Sequence, residues 1–443
     1  MYFQIYERYG KTDMKKIVCA GAGHGGLSAA LLLAREGYDV TVLEAKSRKE
    51  LGYDWHDCVW LPAFEDIGLV PDNPDFVYPF FHYTYHNPAE TMAFSVTKGS
   101  LDRLRMVDRR YILNLLIDEC KNTGVKFEFG KNITGAIIEG SKVAGVHTAR
   151  KEYRADLVID AAGIDSPVRK SLPPVSGVQK EISPDKIIWT YRAYYENRLN
   201  KPAPDYQNIY FFHCGKPGMD WLITEKDFVD VLVGSFSPLT KEDIDRAVAD
   251  FQRIYSHMSD RILKGGTVQK IPIGKAIPKF VWNGYAAVGD SASMTEPMSG
   301  SGISRSLSAG KILAETVINI GKNELTQKNL WHYEYDYLKK HGESAYSDSI
   351  LREFLATLKP EDLDYFFEHK IMTEKEIGGG KIRFSSPAEF LQKVTAFVPK
   401  AGLLPRMAGA VLKLRKAESV KSALPKEFSQ NVYSCWLKLY NQL

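Results

Sequence analysis

The 443-residue chain lacks a marked excess of either charge, because 58 Lys and Arg residues face 54 Asp and Glu residues and leave a formal net charge of +4. It also lacks a basic motif or a ladder of aromatic and basic residues, so we expect no nucleic-acid partner. No uncharged apolar run approaches the roughly 18 residues of a membrane span. Residues 1–13 contain no apolar core, and we therefore expect no secretory signal peptide there.

Cysteine is scarce and shows no C-x-x-C pair or metal-type spacing. The five cysteines are Cys19, Cys58, Cys120, Cys214 and Cys435. This pattern predicts a reduced, cytoplasmic protein without a metal site. The composition is that of a folded protein, with 44% hydrophobic and 25% charged residues. A chain of 443 residues is too long for one simple hydrophobic core, so its length predicts two or three structural units.

A glycine-rich loop near the start is the most informative motif. Gly21–Gly26 reads G-A-G-H-G-G and lies between an apolar strand candidate, 16–20, and a helix candidate, 27–35. A second predicted strand, 39–43, ends in Glu44. Strand, loop, helix, strand and acidic residue together make the fingerprint of a βαβ dinucleotide site.

Each residue type in this fingerprint has a mechanical reason. Gly21 permits the tight turn, Gly23 lets a pyrophosphate approach the backbone, and Gly26 lets helix and strand pack closely. Gly25 belongs to the same loop, whose free helix N–H groups attract phosphate. Glu44 is placed to accept hydrogen bonds from a ribose 2′-OH.

Periodicity predicts the next elements. A helix is expected over 108–122, and strands over 125–129, 133–139 and 143–149, the last two joined as a hairpin. Residues 52–96 are crowded with aromatic side chains. This crowding predicts either irregular structure around a pocket or an aromatic-rich core segment.

Beyond residue 176, longer alternating strands predict an antiparallel sheet, which is our candidate substrate domain. The expected elements are strands at 187–195, 209–212, 221–224 and 228–234, a helix at 241–255, and strands at 267–273 and 284–288. The chain then reaches a second glycine-rich junction, Val288–Ala292, before a helix that starts at Ile303. From Asn323 onward it is predicted to be mostly helical.

Three separated motifs resemble those of the flavoprotein superfamily of p-hydroxybenzoate hydroxylase, the flavin-dependent halogenases and the geranylgeranyl reductases. The first is the 21–44 fingerprint, which in that superfamily holds the ADP half of FAD. The second, 160–169, looks like the Asp-Gly motif, with Ala162 where many members have Asp. The third, 289–290, looks like the motif whose Asp contacts the ribityl chain, and 297–303 would pass the isoalloxazine.

The resemblance also implies a cofactor contact from the start of the 108–122 helix, where Arg109 is the candidate and Arg110 the alternative. The implied FAD-binding residues are Gly21, Gly23, Gly25, Gly26, Glu44, Arg109, Gly163, Asp165, Gly289, Asp290, Pro297, Gly300, Gly302 and Ile303.

The reductase branch of the superfamily is the best match. Residues 217–224, before the strand at 229–234, are similar to the Tyr-x-Trp-x-Phe-Pro segment of geranylgeranyl reductases, of which only Trp221 is kept. Trp221 is expected either in the substrate pocket or in the core. Cys58 lies near the position where archaeal geranylgeranyl reductases carry an active-site cysteine. A neighbouring His56 would lower the thiol pKa and support proton transfer, whereas a buried, unreactive Cys58 is the alternative.

The resemblance implies an α/β fold with a discontinuous Rossmann-like FAD-binding domain, an antiparallel-sheet substrate domain and a helical C-terminal region. The expected boundaries are 14–175 and 267–322 for the FAD-binding domain, 176–266 for the substrate domain and 323–443 for the helical region. No second fingerprint appears, and Gly378–Gly380 has no strand before it, so a dedicated NAD(P)H domain is not expected.

The implied function is an FAD-dependent reductase that saturates carbon–carbon double bonds of a hydrophobic, isoprenoid or lipid-like substrate. A flavin-dependent monooxygenase and a redox-neutral flavoprotein of the lycopene cyclase type are the alternatives. Electrons would come from transiently bound NAD(P)H or from a ferredoxin-like protein. Residues 401–416 are apolar with clustered cations, which predicts either peripheral membrane contact or a helix packed on its own domain.

Overall fold

The computed structural model describes residues 15–79, 83–96, 103–202, 207–374 and 398–443. Its central layer is a six-stranded sheet formed by β1 (Lys16–Ala20), β2 (Asp39–Glu44), β8 (Lys126–Phe129), β12 (Leu157–Asp160), β18 (Val281–Trp282) and β19 (Tyr285–Ala287). The strand order is β18-β19-β12-β1-β2-β8. All neighbours run parallel except β18 and β19. This is the Rossmann-like layer that the fingerprint predicts.

Three helices pack around this sheet: α1 (His24–Arg35), α3 (Arg109–Asn122) and α6 (Ile303–Ile320). Helix α1 contacts both other helices, and it is apolar on most sides because it lies between them and the sheet. A Cβ on Gly310 would stand 2.2 Å from the carbonyl oxygen of Gly25. Backbones of α1 and α6 therefore touch, and the two glycine-rich junctions of the chain meet.

The second large layer is a seven-stranded sheet with the order β17-β13-β16-β15-β14-β5-β6. Its strands are β5 (Tyr83–His86), β6 (Ala93–Val96), β13 (Ile187–Asn197), β14 (Gln207–Phe211), β15 (Gly218–Thr224), β16 (Phe228–Ser235) and β17 (Met258–Pro272). Helix α5 (Lys241–Ile254) covers one face, where Phe251 is fully buried against the sheet. The predicted antiparallel sheet is thus confirmed.

The expectation of irregular structure over 52–96 is correct only in part: residues 52–55, 66–76 and 87–92 form turns and loops, whereas the rest of the described segment is regular. Residues 80–82 lie outside the described ranges. A three-stranded sheet forms there from β3 (His56–Trp60), β4 (Val77–Pro79) and β7 (Leu104–Asp108), with α2 (Leu61–Glu65) after β3. Trp55 and Phe64 are buried. The short strands of this sheet show no clear alternation of apolar and polar residues. Their backbone hydrogen bonds are made by pairing of β3 with β7, which is distant in the sequence.

Two pairings cross the expected domain boundaries. Strand β5 pairs in parallel with β14, so β5 and β6 leave the 14–175 segment and join the seven-stranded sheet. Strand β17 pairs with β13 as far as Pro272, beyond the boundary at 266. The boundaries themselves remain predictions, because sheet pairing alone does not define a folding unit.

The remaining elements follow the predicted order. Strands β9 (Ile133–Glu139), β10 (Lys142–Thr148) and β11 (Glu152–Arg154) form a small antiparallel sheet with the expected hairpin, and α4 (Pro167–Ser171) follows β12. The C-terminal region contains α7 (Gln327–Leu355), α8 (Pro360–Glu368), α9 (Leu404–Ser422) and α10 (Gln430–Tyr440). Within the described ranges, no helix has the length and apolarity needed to cross a membrane. Gly378–Gly380 lies outside those ranges.

Candidate active site

The loop between β1 and α1 has the geometry that the fingerprint requires. Gly21 has φ +93°, and a Cβ there would lie 2.6 Å from the carbonyl oxygen of Ala161. A Cβ on Gly26 would lie 2.6 Å from the Ala161 methyl group. Helix α1 begins after Gly23 without a side-chain cap. Its first N–H groups are therefore available to an anionic ligand.

Gly23 and Gly25 are also required by packing within the protein. A Cβ on Gly23 would stand 2.9 Å from the Ala161 carbonyl oxygen, and one on Gly25 would stand 2.4 Å from a methyl of Val288 and 2.9 Å from the Ser306 carbonyl. Gly25 therefore lets α1 approach the third motif. The motif glycines bring three chain segments to one edge of the sheet.

Glu44 lies at the end of β2 and orients the glycine loop. One carboxylate oxygen accepts a hydrogen bond from the Ala22 N–H at 2.9 Å, and the other accepts one from the Lys46 N–H at 2.9 Å. A carboxylate has about four acceptor positions. Glu44 can therefore hold the loop and still accept hydrogen bonds from ribose hydroxyls.

Arg109 is paired within the protein. It is the first residue of α3, and its guanidinium forms a two-bond ion pair with Asp57, with one N–O distance of 2.9 Å. Its Cζ lies 4.6 Å from the centre of the Tyr53 ring. Although burial opposes it, Arg109 holds the pKa of Asp57 below its usual value. Arg110, the alternative, instead approaches Asp54 at 3.6 Å with 45% of its side chain exposed.

Two polar groups beside this pair have no protein partner among the described residues. The Nε2 atom of His24 is buried without a hydrogen bond. The Asp290 carboxylate interacts only with the charges of Arg109 and Asp57. Burial, reinforced by Arg109, lowers the pKa of His24 to about 3, so its imidazole is neutral. Burial raises the pKa of Asp290. A ligand with hydroxyl and phosphate groups would satisfy both positions.

The second motif is a buried polar network. Asp160 is fully buried and accepts hydrogen bonds from Ser166 Oγ at 2.6 Å, Tyr285 Oη at 2.9 Å and Ser291 Oγ at 3.1 Å. The Gly163 N–H donates to Ser291 Oγ at 2.9 Å. Because Ser291 belongs to the third motif, this network fixes the second motif against the third.

Asp165 stands apart from this network. It forms ion pairs with Lys170 and with Lys270 of β17, and its side chain is 53% exposed. Buried Arg169 reaches inward instead and donates to the carbonyl oxygen of Ser291. The structure therefore gives Asp165 two ammonium partners at the surface, and its expected cofactor contact remains untested.

The third motif forms a turn that leads into α6. Gly289 and Gly300 have φ of +66° and +68°, and a Cβ on Gly302 would lie 2.9 Å from Thr295. Pro297 lies in the loop between them, and Ile303 opens α6 with 4% exposure. The loop and helix start are thus as compact as the glycines predict.

This turn is hydrogen-bonded to β3. Ser301 Oγ donates to the carbonyl oxygen of Cys58 at 3.1 Å, and the Trp60 N–H donates to Ser304 Oγ at 2.9 Å. Strand β3 therefore lies against the residues that the resemblance places beside the isoalloxazine. Cys58 is brought to the candidate site by two independent bonds.

Cys58 is a protonated thiol rather than an activated one. Its Sγ lies 3.3 Å from Tyr83 Oη and 3.1 Å from Met106 Sδ. Burial raises the pKa of the thiol to about 11. The expectation that His56 lowers this pKa is wrong, because His56 is itself neutral and contributes no charge.

His56 faces a different set of groups. It is 4% exposed, and its Nε2 lies 2.9 Å from Lys264 Nζ. Its ring packs on Tyr194 and Phe228. Burial and the Lys264 charge push its pKa far below the usual value. At neutral pH His56 carries no acidic proton for the Cys58 side.

Trp221 belongs to an aromatic enclosure around a buried cation. The Arg192 guanidinium lies 4.6 Å from the centre of the Trp221 ring and 5.3 Å from that of Tyr194. It forms an ion pair with Asp230, whose side chain is only 1% exposed. Trp55 is 2% exposed and its buried Nε1 has no hydrogen-bond partner among the described residues. Trp221 is thus half-buried beside the positive charge of Arg192.

Sequence reasoning missed Asp57, His24 and the Arg192–Asp230 pair. His24 lies inside the fingerprint at the first position of α1, and a histidine there could have indicated a polar contact with the ligand. Asp57 and Arg192 belong to no local sequence motif. Their partners come near only when β3 packs beside α3 and β13.

The residues present fit FAD on the observations above. The uncapped start of α1 matches a pyrophosphate, Glu44 matches a ribose, and Asp290 with His24 offers unused polar groups between them. Asp290 lies after β19, whereas Glu44 ends β2, so the groups are spread along the carboxyl edge of the sheet.

Comparison with known proteins agrees with this reading of the fold and cofactor. Residues 14–187 match the family model described as FAD binding domain. The chain is 21% identical over 380 residues to digeranylgeranylglycerophospholipid reductase of Sulfolobus acidocaldarius, covering 82% of each chain. It is 25% identical over 367 residues to digeranylgeranylglycerophospholipid reductase 2 of Methanococcoides burtonii, covering 80% of this chain and 87% of that one.

Solved structures show the same fold. A geranylgeranyl bacteriochlorophyll reductase-like protein of Thermoplasma acidophilum superposes with a TM-score of 0.72 at 17% identity, covering 90% of this chain and all of that one. A probable FAD-dependent monooxygenase of Pseudomonas aeruginosa superposes with a TM-score of 0.59 at 16% identity, covering 80% of this chain and all of that one.

Proposed function

We propose that this chain, an FAD-dependent oxidoreductase of the superfamily that includes the geranylgeranyl reductases and p-hydroxybenzoate hydroxylase, saturates carbon–carbon double bonds of an isoprenoid lipid. Support for the reaction class comes from relatives named digeranylgeranylglycerophospholipid reductase that align over about four-fifths of the chain. The observation that carries the proposal is the hydrogen bond from Ser301 of the third motif to the backbone carbonyl of Cys58, a residue with a protonated thiol.

FAD, when bound, supplies a hydride to one carbon of the alkene. The second carbon needs a proton, and we assign its delivery to the Sγ–H of Cys58. This thiol keeps its proton at neutral pH because its pKa is about 11. The thiolate that this transfer leaves takes up a proton from solvent water before the next turnover. Tyr83 Oη, 3.3 Å from Sγ, orients the sulfur through a hydrogen bond.

The surroundings of Cys58 favour an apolar substrate. Tyr85, Phe94 and Met106 pack around Cys58 and Tyr83 in one hydrophobic cluster. Aromatic and thioether side chains at this place exclude water and offer no charged group to a polar ligand. The buried Arg192–Asp230 pair, whose charges act on the Cys58 thiol, is neutral as a unit. We infer that an alkene chain lies across this cluster.

Reaction with a defined alkene tests the proposal. FAD-loaded enzyme is reduced with dithionite under anaerobic conditions and mixed with geranylgeraniol in detergent micelles, and flavin absorbance is followed. The proposal expects reoxidation without oxygen and a product with two additional hydrogens. Fully saturated phytanol is the matched control and should leave the flavin reduced.

Two results contradict alkene reduction. Flavin that stays reduced with geranylgeraniol until oxygen arrives, followed by a product with one additional oxygen atom, assigns the chain to the monooxygenase class. Equal reoxidation with geranylgeraniol and phytanol shows that the alkene is not the electron acceptor.

Reduction of a substrate requires an electron donor, and we infer transiently bound NAD(P)H or a ferredoxin-like protein. Rapid anaerobic mixing of oxidised enzyme with NADPH, NADH and reduced ferredoxin separates these sources. The donor is the one that bleaches the flavin at a rate at least equal to turnover.

We also infer that α9 provides a peripheral contact with anionic lipid. Its inner face packs on α7 through buried Ala417 and Val420, whereas Leu412 is 59% exposed and Arg415 and Lys416 are exposed beside it. An exposed leucine flanked by cations suits a headgroup layer.

Vesicle co-sedimentation tests this contact. Wild-type protein should bind phosphatidylserine vesicles less as salt rises, and Arg415→Glu with Lys416→Glu should abolish binding. The matched control reverses two exposed cations on other elements, Arg150→Glu with Lys180→Glu. Equal loss in the control, or binding that ignores salt, contradicts the assignment to α9.

A further inference from the structure

A cluster outside the flavin site brings together three side chains with metal-binding atoms. His213 and Cys214 lie in the turn between β14 and β15, and Asp250 lies on α5. One ligand atom from each falls within 4.8 Å of the other two. We propose that this cluster, built from His213, Cys214 and Asp250, is a binding site for one Zn²⁺ ion.

The distances suit a tetrahedral zinc ion. Nε2 of His213 lies 3.1 Å from an Asp250 carboxylate oxygen and 3.8 Å from Cys214 Sγ. Around tetrahedral zinc, two N or O ligands lie about 3.3 Å apart and an S and N ligand about 3.6 Å apart, from ordinary bond lengths. These two distances differ from the zinc values by a few tenths of an ångström, and all three ligand atoms lie within 4.8 Å of one another.

The imidazole is already oriented as in a zinc site. Nδ1 of His213 lies 2.9 Å from a carboxylate oxygen of Asp220, which leaves Nε2 directed at Asp250 and Cys214. The other Asp220 oxygen accepts the Gly234 N–H at 3.0 Å, and the His213 ring stacks on Phe251 with centroids 4.4 Å apart. A carboxylate behind a ligating histidine fixes its tautomer and ring orientation.

Charge and ligand type also favour zinc. A deprotonated Cys214 and the Asp250 carboxylate bring two negative charges, which balance Zn²⁺. Thiolate, imidazole and carboxylate together select zinc over magnesium or calcium, which prefer oxygen ligands. Arg253 donates to both oxygens of the Asp250 carboxylate, at 2.8 Å to one and at 3.2 Å to the other, which faces His213. Zinc would replace the longer of these two hydrogen bonds.

The cluster opens onto a cavity, which leaves room for a fourth ligand. The cavity has a volume of about 310 Å³ and is lined by His213, Cys214, Lys216, Asp220, Asp243 and Arg246. Three protein ligands and an open position are the arrangement of a zinc site that binds water or an exchangeable anion. Sequence spacing did not predict this site, because Asp250 comes from a different element.

The experiment measures zinc directly in the complete, FAD-loaded protein. Protein stripped with chelator is dialysed against buffered Zn²⁺, and bound zinc is counted by mass spectrometry. We expect one zinc per chain. Zinc X-ray absorption should show one sulfur at about 2.3 Å together with N and O ligands.

Variants locate the site. Cys214→Ser and Asp250→Asn should each weaken zinc binding at least about tenfold, and Asp220→Asn about 10- to 100-fold through the histidine. Cys435→Ser, an exposed cysteine, and Asp245→Asn, an exposed carboxylate on the same helix, are the matched controls and should bind zinc like wild type. FAD content, read from the visible spectrum, verifies that each variant is folded.

Three results would overturn the proposal. One is wild-type protein that retains no zinc after dialysis. Another is zinc that binds without a sulfur neighbour. The third is zinc binding that is unchanged in both Cys214→Ser and Asp250→Asn, which places the ion elsewhere. Flavin reduction and turnover do not enter these readouts, so the result is independent of the reaction assigned above.

Discussion

Replacement of Asp230 by Asn should destabilise the protein more than replacement of any exposed carboxylate on the same sheet. Arg192 and Asp230 are 2% and 1% exposed, and the Arg192 Nε donates to Asp230 at 2.8 Å. Asn keeps the size and the hydrogen-bonding oxygen but removes the negative charge. The change therefore leaves the Arg192 guanidinium buried without a counter-charge.

The size of the effect follows from that burial. Removing one partner of a buried pair costs about 3–5 kcal/mol, because the remaining charge keeps its desolvation penalty. For a chain of this length, a kcal/mol of stability corresponds to roughly 1 °C in melting temperature. Asp230→Asn should therefore lower the melting temperature by about 3–5 °C. The Trp221 and Tyr194 rings around Arg192 offset only part of the loss.

Thermal unfolding followed by tryptophan fluorescence, at saturating FAD, measures the change. The matched control is Glu196→Gln, which removes a carboxylate on β13, the strand that carries Arg192. Glu196 pairs with Arg261 at 3.0 Å, but the two side chains are 40% and 70% exposed. An exposed pair contributes about 0–1 kcal/mol, so this control should shift the melting temperature by about 1 °C or less.

A double replacement separates the charge from the packing. Arg192→Met with Asp230→Leu removes both charges and should restore much of the stability that Asp230→Asn loses. Equal melting temperatures for Asp230→Asn and Glu196→Gln would refute the reasoning. The same would hold if the double variant were less stable than Asp230→Asn.

Three further predictions concern the cofactor, the thiol and a buried carboxyl group. Glu44→Ala and Asp290→Ala should each weaken FAD retention about tenfold or more, since a hydrogen bond to a charged group contributes roughly 1.5–3 kcal/mol; full flavin occupancy of both after dialysis would contradict their roles. Cys58→Ala should lower turnover about 10²- to 10⁴-fold with FAD still bound, and wild-type turnover should show no Cys58-linked titration between pH 6 and 9, roughly, because the thiol pKa is about 11. Unchanged turnover would return Cys58 to a purely structural role. Burial raises the pKa of Glu334 to about 8, so the folded state binds more protons than the unfolded state and stability should fall as pH rises from about 4.5 to 8. Glu334→Gln should flatten that fall in pH-dependent melting, and an unchanged slope would exclude Glu334 as its source.

Sequence reasoning predicted the FAD-binding layer well because its signals are local. The tight turn at Gly21 and the carboxylate of Glu44 are each placed by neighbouring residues, and the helix at Ile303 begins where the glycines end. The strands at 16–20 and 133–139 have the same bounds in sequence and structure. Neighbouring residues determine these turns, strands and helix starts, so tertiary packing did not change the structure that the sequence predicts for them.

The candidate active site was only partly predictable, because its polar pairs join distant segments. Once β3 pairs antiparallel with β7, His56 stands opposite Asp108, and Asp57 comes to lie beside the first turn of α3. Arg109 then meets Asp57. The sequence placed Arg109 at a helix start correctly but gave no sign of its partner, since neither alternative for 52–96, irregular structure or an aromatic-rich core segment, specified β3.

The error about Cys58 has the same origin. Proximity in the sequence favours His56 as the group that lowers the thiol pKa, but His56 is enclosed by Tyr194 and Phe228 and lies beside Lys264. Burial next to a cation keeps this imidazole neutral. Burial of a thiol among apolar side chains then raises its pKa instead of lowering it. A raised thiol pKa suits a proton donor and disfavours a nucleophile. It therefore fits the proton transfer assigned to Cys58 better than a lowered pKa would.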